Sequence, residues 1–73
     1  MQETSRADDG GIKVWAVMAR VEADGWVLVR TRGSHRQFTH PEKPGTVTMP
    51  GKPGDDLHPK TTKSILRQAG LAS

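Results

Sequence analysis

Between Ile12 and Trp26 the apolar residues Val14, Val17, Met18 and Val21 recur at i, i+3, i+4 and i+7. A helix turn takes 3.6 residues, so this spacing gathers them into one stripe and predicts an amphipathic helix. Gly25 follows as a left-handed stop, and a Schellman ending with Gly25 at C′ would bring Val21 against Trp26. Trp15 lies beside the stripe, either as a part-exposed edge of the core or as a partner contact. The pattern then changes period. WVLVRT (26–31) is β-branched and aliphatic, Arg32-Gly33-Ser34 makes a turn, and HRQFTH (35–40) forms a second strand. Pro41, Pro44 and Gly45 punctuate a longer loop, and TVTM (46–49) is a short third strand. The Gly- and Pro-rich PGKPGDDLHP (50–59) is expected to be loop throughout. From Pro59, tolerated in the first turn of a helix, a second helix turns Thr62, Ile65, Leu66 and Ala69 inward. Gly70 ends it, with Leu66 and Leu71 spaced to touch across the stop. Residues 1–11 carry no apolar pattern and are expected to be a disordered leader to a single domain over 12–73.

Helix, three strands, helix is an α+β order. Two short helices packed on one face of a three-stranded antiparallel sheet would share one core and leave the other sheet face open. Side chains alternate across a strand, so Arg36, Phe38 and His40 share one face, and His35, Gln37 and Thr39 the other. Phe38 is the large apolar residue here, so its face should be buried and His35 should project from the open face at the mouth of the hairpin. The first strand has apolar residues on both sides and leaves its own orientation open.

Composition narrows what such a face can do. With 73 residues and only Trp15, Trp26 and Phe38 as aromatics, the core holds about a dozen apolar side chains. A deep enclosed pocket is not expected, so chemistry should occur on an open face with a large substrate. The absence of cysteine excludes disulfides, thiolate nucleophiles and zinc knuckles. No apolar run approaches the roughly 18 residues that cross a bilayer, and the polar start is unlike a signal peptide. The cytoplasm is therefore the expected location. Net charge is +3, but residues 1–25 hold three Lys/Arg against five Asp/Glu, and residues 26–73 hold eight against three. The basic part is the part patterned into strands and a helix. That bias suits a polyanion, since neutralising phosphates releases counterions, and it equally suits simple solubility.

Metal chemistry finds no motif: His35 and His40 should face opposite ways, and His58 lies beyond a long loop without helical His-x-x-x-His spacing. No metal or cofactor is expected. Ser34 next to His35 lacks an orienting carboxylate for a hydroxyl nucleophile, and Asp55-Asp56 makes no convincing acid–base pair. From composition alone His35 is more readily a solvated turn residue than a catalytic one.

Several marks recur in order: the Gly25-Trp26 helix exit, the Gly33-Ser34-His35 turn with Phe38 three residues on, the His40-Pro41 strand end, and the closing Ser64-Ile65-Leu66-Arg67-Gln68-Ala69-Gly70-Leu71. Over residues 12–71 the chain resembles the HicA-type toxins of toxin–antitoxin pairs. The resemblance implies a double-stranded-RNA-binding-domain-like α-β-β-β-α fold and a metal-independent endoribonuclease acting on mRNA. It also implies a HicB-type antitoxin as protein partner, expected to cover the open face, with DNA reached only through that antitoxin. The family's single catalytic histidine matches His35. Two departures are the long leader and Trp15, which stands at a helix position more often polar in the family.

RNA carries its own nucleophile, the 2′-hydroxyl, so a cleaving protein needs a proton-transfer group and positive charge for the phosphate. Imidazole, with an ordinary pKa of about 6.5, suits the first task. His35 is accordingly the candidate general base or acid. Arg30, Arg32 and Arg36 are the nearby cations, with Arg32 and the amides of Gly33 and Ser34 best placed for a phosphate. Arg36 points the other way by alternation unless its long side chain curls round the edge. Lys60 and Lys63, in the first turns of the second helix, are further candidates beside free amides. The competing readings are a non-catalytic RNA-binding module of the same fold and a protein-interaction module whose charge serves an acidic partner.

Overall fold

Each helix ends where its glycine permits the chain to turn left. A computed structural model describes residues 11–71, and the leader expected at 1–11 lies outside these residues except for Gly11. Helix α1 (Val14–Ala23) is preceded by the two-residue strand β1 (Ile12–Lys13). Strands β2 (Val27–Arg32), β3 (His35–Thr39) and β4 (Val47–Met49) follow, then β5 (Asp56–Leu57) and helix α2 (Pro59–Gln68). At the end of α1, Trp26 N–H donates to the Val21 carbonyl at 3.1 Å and Gly25 N–H to Glu22 at 3.0 Å. At the end of α2, Leu71 N–H donates to Leu66 at 2.8 Å and Gly70 N–H to Arg67 at 3.0 Å. Both are Schellman endings, with Gly25 at φ +108° and Gly70 at φ +74°.

The expectation that 50–59 is loop throughout is corrected by β5. It pairs antiparallel with β1, Ile12 opposite Leu57 and Lys13 opposite Asp56, and an exposed Lys13–Asp56 ion pair at 3.0 Å closes it. Two residues have no alternation to display, and their partner stands at the far end of the chain. The neighbouring loop also serves α1. Lys13 offers no side-chain cap, and the first helical amides donate instead to carbonyls, Val14 to Asp55 at 2.8 Å and Trp15 to Pro53 at 3.0 Å. Otherwise-orphaned donors at the helix start are thereby satisfied.

The three-stranded sheet runs in the order β2-β3-β4, all antiparallel, and β1-β5 stands apart as a second pair. One sheet face supplies Phe38, Val47 and Met49 to the core. There they meet Val14, Val17 and Val21 of α1, Ile65 and Ala69 around the end of α2, and Trp26 and Leu57, with Met18, Leu66 and Leu71 packed against the cluster. The helix stripes are thus those expected, and Trp15 lies outside them, 58% exposed. The architecture is α+β, with two helices against one face of an antiparallel three-stranded sheet and the other face uncovered, the double-stranded-RNA-binding-domain-like arrangement.

Candidate functional site

The site begins with a two-residue turn. Arg32 and His35 are opposite one another across β2 and β3, leaving Gly33 and Ser34 to reverse the chain. Gly33 has φ +58° and among the described residues no non-glycine residue, Ser34 included, has positive φ, so the turn has the glycine-first pattern of a type II′ hairpin. A Cβ at Gly33 would meet nothing within 4 Å. The requirement there is conformational, not steric. His35 stands at the first position after the turn and is exposed, while Phe38 on the opposite face of β3 is wholly buried.

The register then decides which cations share the face of His35. Leu28 is opposite Phe38, but Arg30 is opposite Gln37, Thr31 opposite Arg36 and Arg32 opposite His35. One extra residue, Val29, is therefore accommodated on β2 as a bulge between Leu28 and Arg30. Directly opposed residues share a face, so the bulge inverts the parity of the strand. Were Val29 paired in regular alternation instead, Arg30 and Arg32 would follow Leu28 toward the helices. With the bulge they join His35 and Gln37 on the open face. Thr48 of β4, opposite Gln37, extends that face and was absent from the sequence-based site. Its alternation between buried Val47 and Met49 was the signal available for it.

Arg36 belongs to the other face. It is opposite Met49, is half-buried, and its guanidinium donates to the Gly51 carbonyl at 2.9 Å. Lys60 and Lys63 are exposed on α2, in the helical layer across the sheet from His35. The site thus gathers His35, Arg30, Arg32, Gly33 and Ser34 and leaves these three cations elsewhere.

The other two histidines are occupied by the fold. His40 is inserted beside the end of α1, where its Nδ1 accepts the amides of Glu42 at 2.9 Å and Lys43 at 3.2 Å. A nitrogen accepting two N–H groups carries no hydrogen, so Nε2 holds the ring proton and donates to the Asp24 carbonyl at 2.8 Å. Only 8% of the His40 side chain is exposed, and its ring meets Trp26 edge-on at 5.2 Å. Gly25 is forced by this neighbour as well as by its φ, since a Cβ there would lie 2.8 Å from His40 Nε2. Lys43 completes the clamp, bonding the Asp24 carboxylate and the Ala69 carbonyl at the end of α2. The Lys43 ammonium beside Asp24 holds its carboxyl below the usual value of 3.8. His58 caps α2, its Nδ1 accepting the Lys60 amide at 3.0 Å. Among the described residues no three His, Asp or Glu side chains converge in a metal-binding group, and no helix is long and apolar enough to cross a membrane.

Comparison with curated proteins finds no match. The family model described as HicA toxin of bacterial toxin-antitoxin matches residues 16–71, which takes in α1 from its third residue, α2, the three-stranded sheet and the hairpin that presents His35. On that match, and with this fold, the chain belongs to the HicA family of toxins.

Proposed function

We propose that this toxin is an endoribonuclease that cleaves mRNA at the open face of its sheet, with His35 as the proton-transfer group. The observation that carries the reading is the division of labour among the histidines. His40 and His58 spend ring nitrogens on backbone groups, whereas His35 has no side-chain hydrogen bond within the described residues and stands exposed beside two arginines. Membership of a toxin family whose members are generally ribonucleases supports it further.

In this reading the 2′-hydroxyl of the substrate gives its proton to the His35 imidazole. The freed oxygen attacks the adjacent phosphorus to form a 2′,3′-cyclic phosphate, and the bond to the departing 5′-oxygen breaks as that oxygen takes a proton from water. Arg30 and Arg32 balance the charge gathered on the phosphate. The amides of Gly33 and Ser34, which the backbone hydrogen bonds outside the strands do not use, offer further donors to a phosphate oxygen. A positioned acid or base contributes typically about 10²–10⁴-fold. Control falls to a HicB-type antitoxin, and any DNA contact to that partner.

The test is His35→Ala, checked for folding by circular dichroism and assayed on a single-stranded RNA and its DNA counterpart. The expected result is a loss of RNA cleavage of at least about 10²-fold with RNA binding retained, and no cutting of DNA by either form. Undiminished cleavage would remove His35 from the mechanism. If even the unaltered protein binds RNA and releases it intact, the chain is an RNA-binding module.

A further inference from the structure

Beside the proposed site the sheet ends in an edge of uncommon character. β2 is an outer strand, all six of its residues are exposed, and Val27, Leu28 and Val29 are 56%, 44% and 57% exposed. Among the described residues no strand pairs with its outer side. An exposed β-branched edge is a template for another strand, and proteins usually blunt one with charged residues, proline, a bulge or extreme shortness, devices that in β2 leave Val27 and Leu28 unprotected. β2 contains no lysine or proline. What it does contain is the Val29 bulge and two charges, Arg30 and Arg32, neither of which forms an ion pair among the described residues.

Those two charges choose the occupant. A second copy pairing through β2 would crowd four guanidinium groups onto one ribbon, and like charges opposed across strands are destabilising. Nucleic acid would meet the arginines but gain little from three exposed aliphatic side chains. A strand with apolar residues at one end and carboxylates at the other satisfies both halves of β2.

We propose that β2 receives an added strand from an acidic partner protein, whose carboxylates meet Arg30 and Arg32 while its apolar residues cover Val27 to Val29. The inference rests on the toxin–antitoxin reading and gives the antitoxin a place and a mode of action. Strand addition draws affinity from main-chain hydrogen bonds and selectivity from side-chain pairs. Opposed side chains lie only about 4.5–5.5 Å apart at Cβ, so the partner's carboxylates take up the guanidinium groups that a phosphate would need. Inhibition then comes from the side of the sheet, by substitution of one anion for another, and does not require His35 to be covered.

The experiment uses the full chain and, as candidate antitoxin, the product of the adjacent reading frame. Binding is measured for the unaltered toxin and for Val29→Glu, and amide hydrogen exchange is followed in β2 with and without antitoxin. Val29 is exposed on the edge, and a circular dichroism spectrum verifies that the variant folds. The expected result is slowed exchange of β2 amides in the complex and at least about tenfold weaker binding of Val29→Glu, because the new carboxylate would be buried unpaired against the partner's apolar residues. Normal antitoxin binding with β2 exchange unchanged would overturn the edge as the docking site while leaving the toxin–antitoxin reading intact. A neighbouring product that does not bind the unaltered toxin at all would overturn both. A toxin that self-associates through β2, and becomes monomeric on Val29→Glu, would assign the edge to a second copy and so refute the acidic partner.

Discussion

At the scale of single residues, the fold rests on polar groups whose partners can be named, with one exception. Thr62 faces the core at 5% exposure, and its hydroxyl finds no hydrogen-bond partner among the described residues. A buried hydroxyl left unpaired costs about 1–3 kcal/mol. Thr62→Val, of nearly the same shape, is therefore expected to raise stability by about 1 kcal/mol in a urea titration. Asp24 gives the opposite sign and a pH dependence. Its carboxyl is held below 3.8 chiefly by the hydrogen bond from Lys43, so the folded state favours the ionised form more than the unfolded chain does. The stabilisation is complete above the unfolded value and is lost as pH falls through the folded one. Asp24→Asn should accordingly be less stable than the parent at neutral pH, with the gap closing as acid unfolding is followed below pH 3.8.

At the scale of elements, the bulge is the feature on which the site turns. Deleting Val29 should allow β2 and β3 to pair without interruption, since the hairpin turn and the Leu28–Phe38 pair do not depend on it. Arg30 and Arg32 would keep Gln37 and His35 as their partners and so stay on the open face. Retained β structure by circular dichroism, with RNA cleavage close to that of the parent and far above that of the double substitution Arg30→Ala/Arg32→Ala, is the expected outcome. The helices behaved more simply. Their stripes at i, i+3, i+4, i+7 and their stop glycines were legible because the information is local, within one or two turns and a single backbone conformation. β5 was not legible, because its pairing with β1 joins two-residue segments remote in sequence.

For the whole molecule, the governing fact is that one face of a small sheet is spent on the core and the other is free, with the basic residues of 26–73 distributed over both layers. RNA affinity should fall with added salt as counterions are released, and each arginine that meets a phosphate contributes about 0.7 to the slope for a single strand. Arg30→Ala and Arg32→Ala should each flatten the plot of log affinity against log salt by about that amount. Arg36→Ala should leave the slope unchanged and instead lower stability, because its guanidinium is engaged with the Gly51 carbonyl across the sheet. Fluorescence titrations at several salt concentrations separate the two behaviours.

The amino-acid order alone determined the helices, the hairpin turn, and the opposite facing of His35 and Phe38, because each depends on a repeat or a backbone preference contained in a few neighbouring residues. Only the tertiary structure decided that Arg30 and Arg32 stand with His35, that His40 is locked between Asp24 and the loop after β3, and that β2 is left with an open edge. Register, bulges and edges are relations between segments. A strand with apolar residues on both sides fits either parity equally well until its neighbour fixes one.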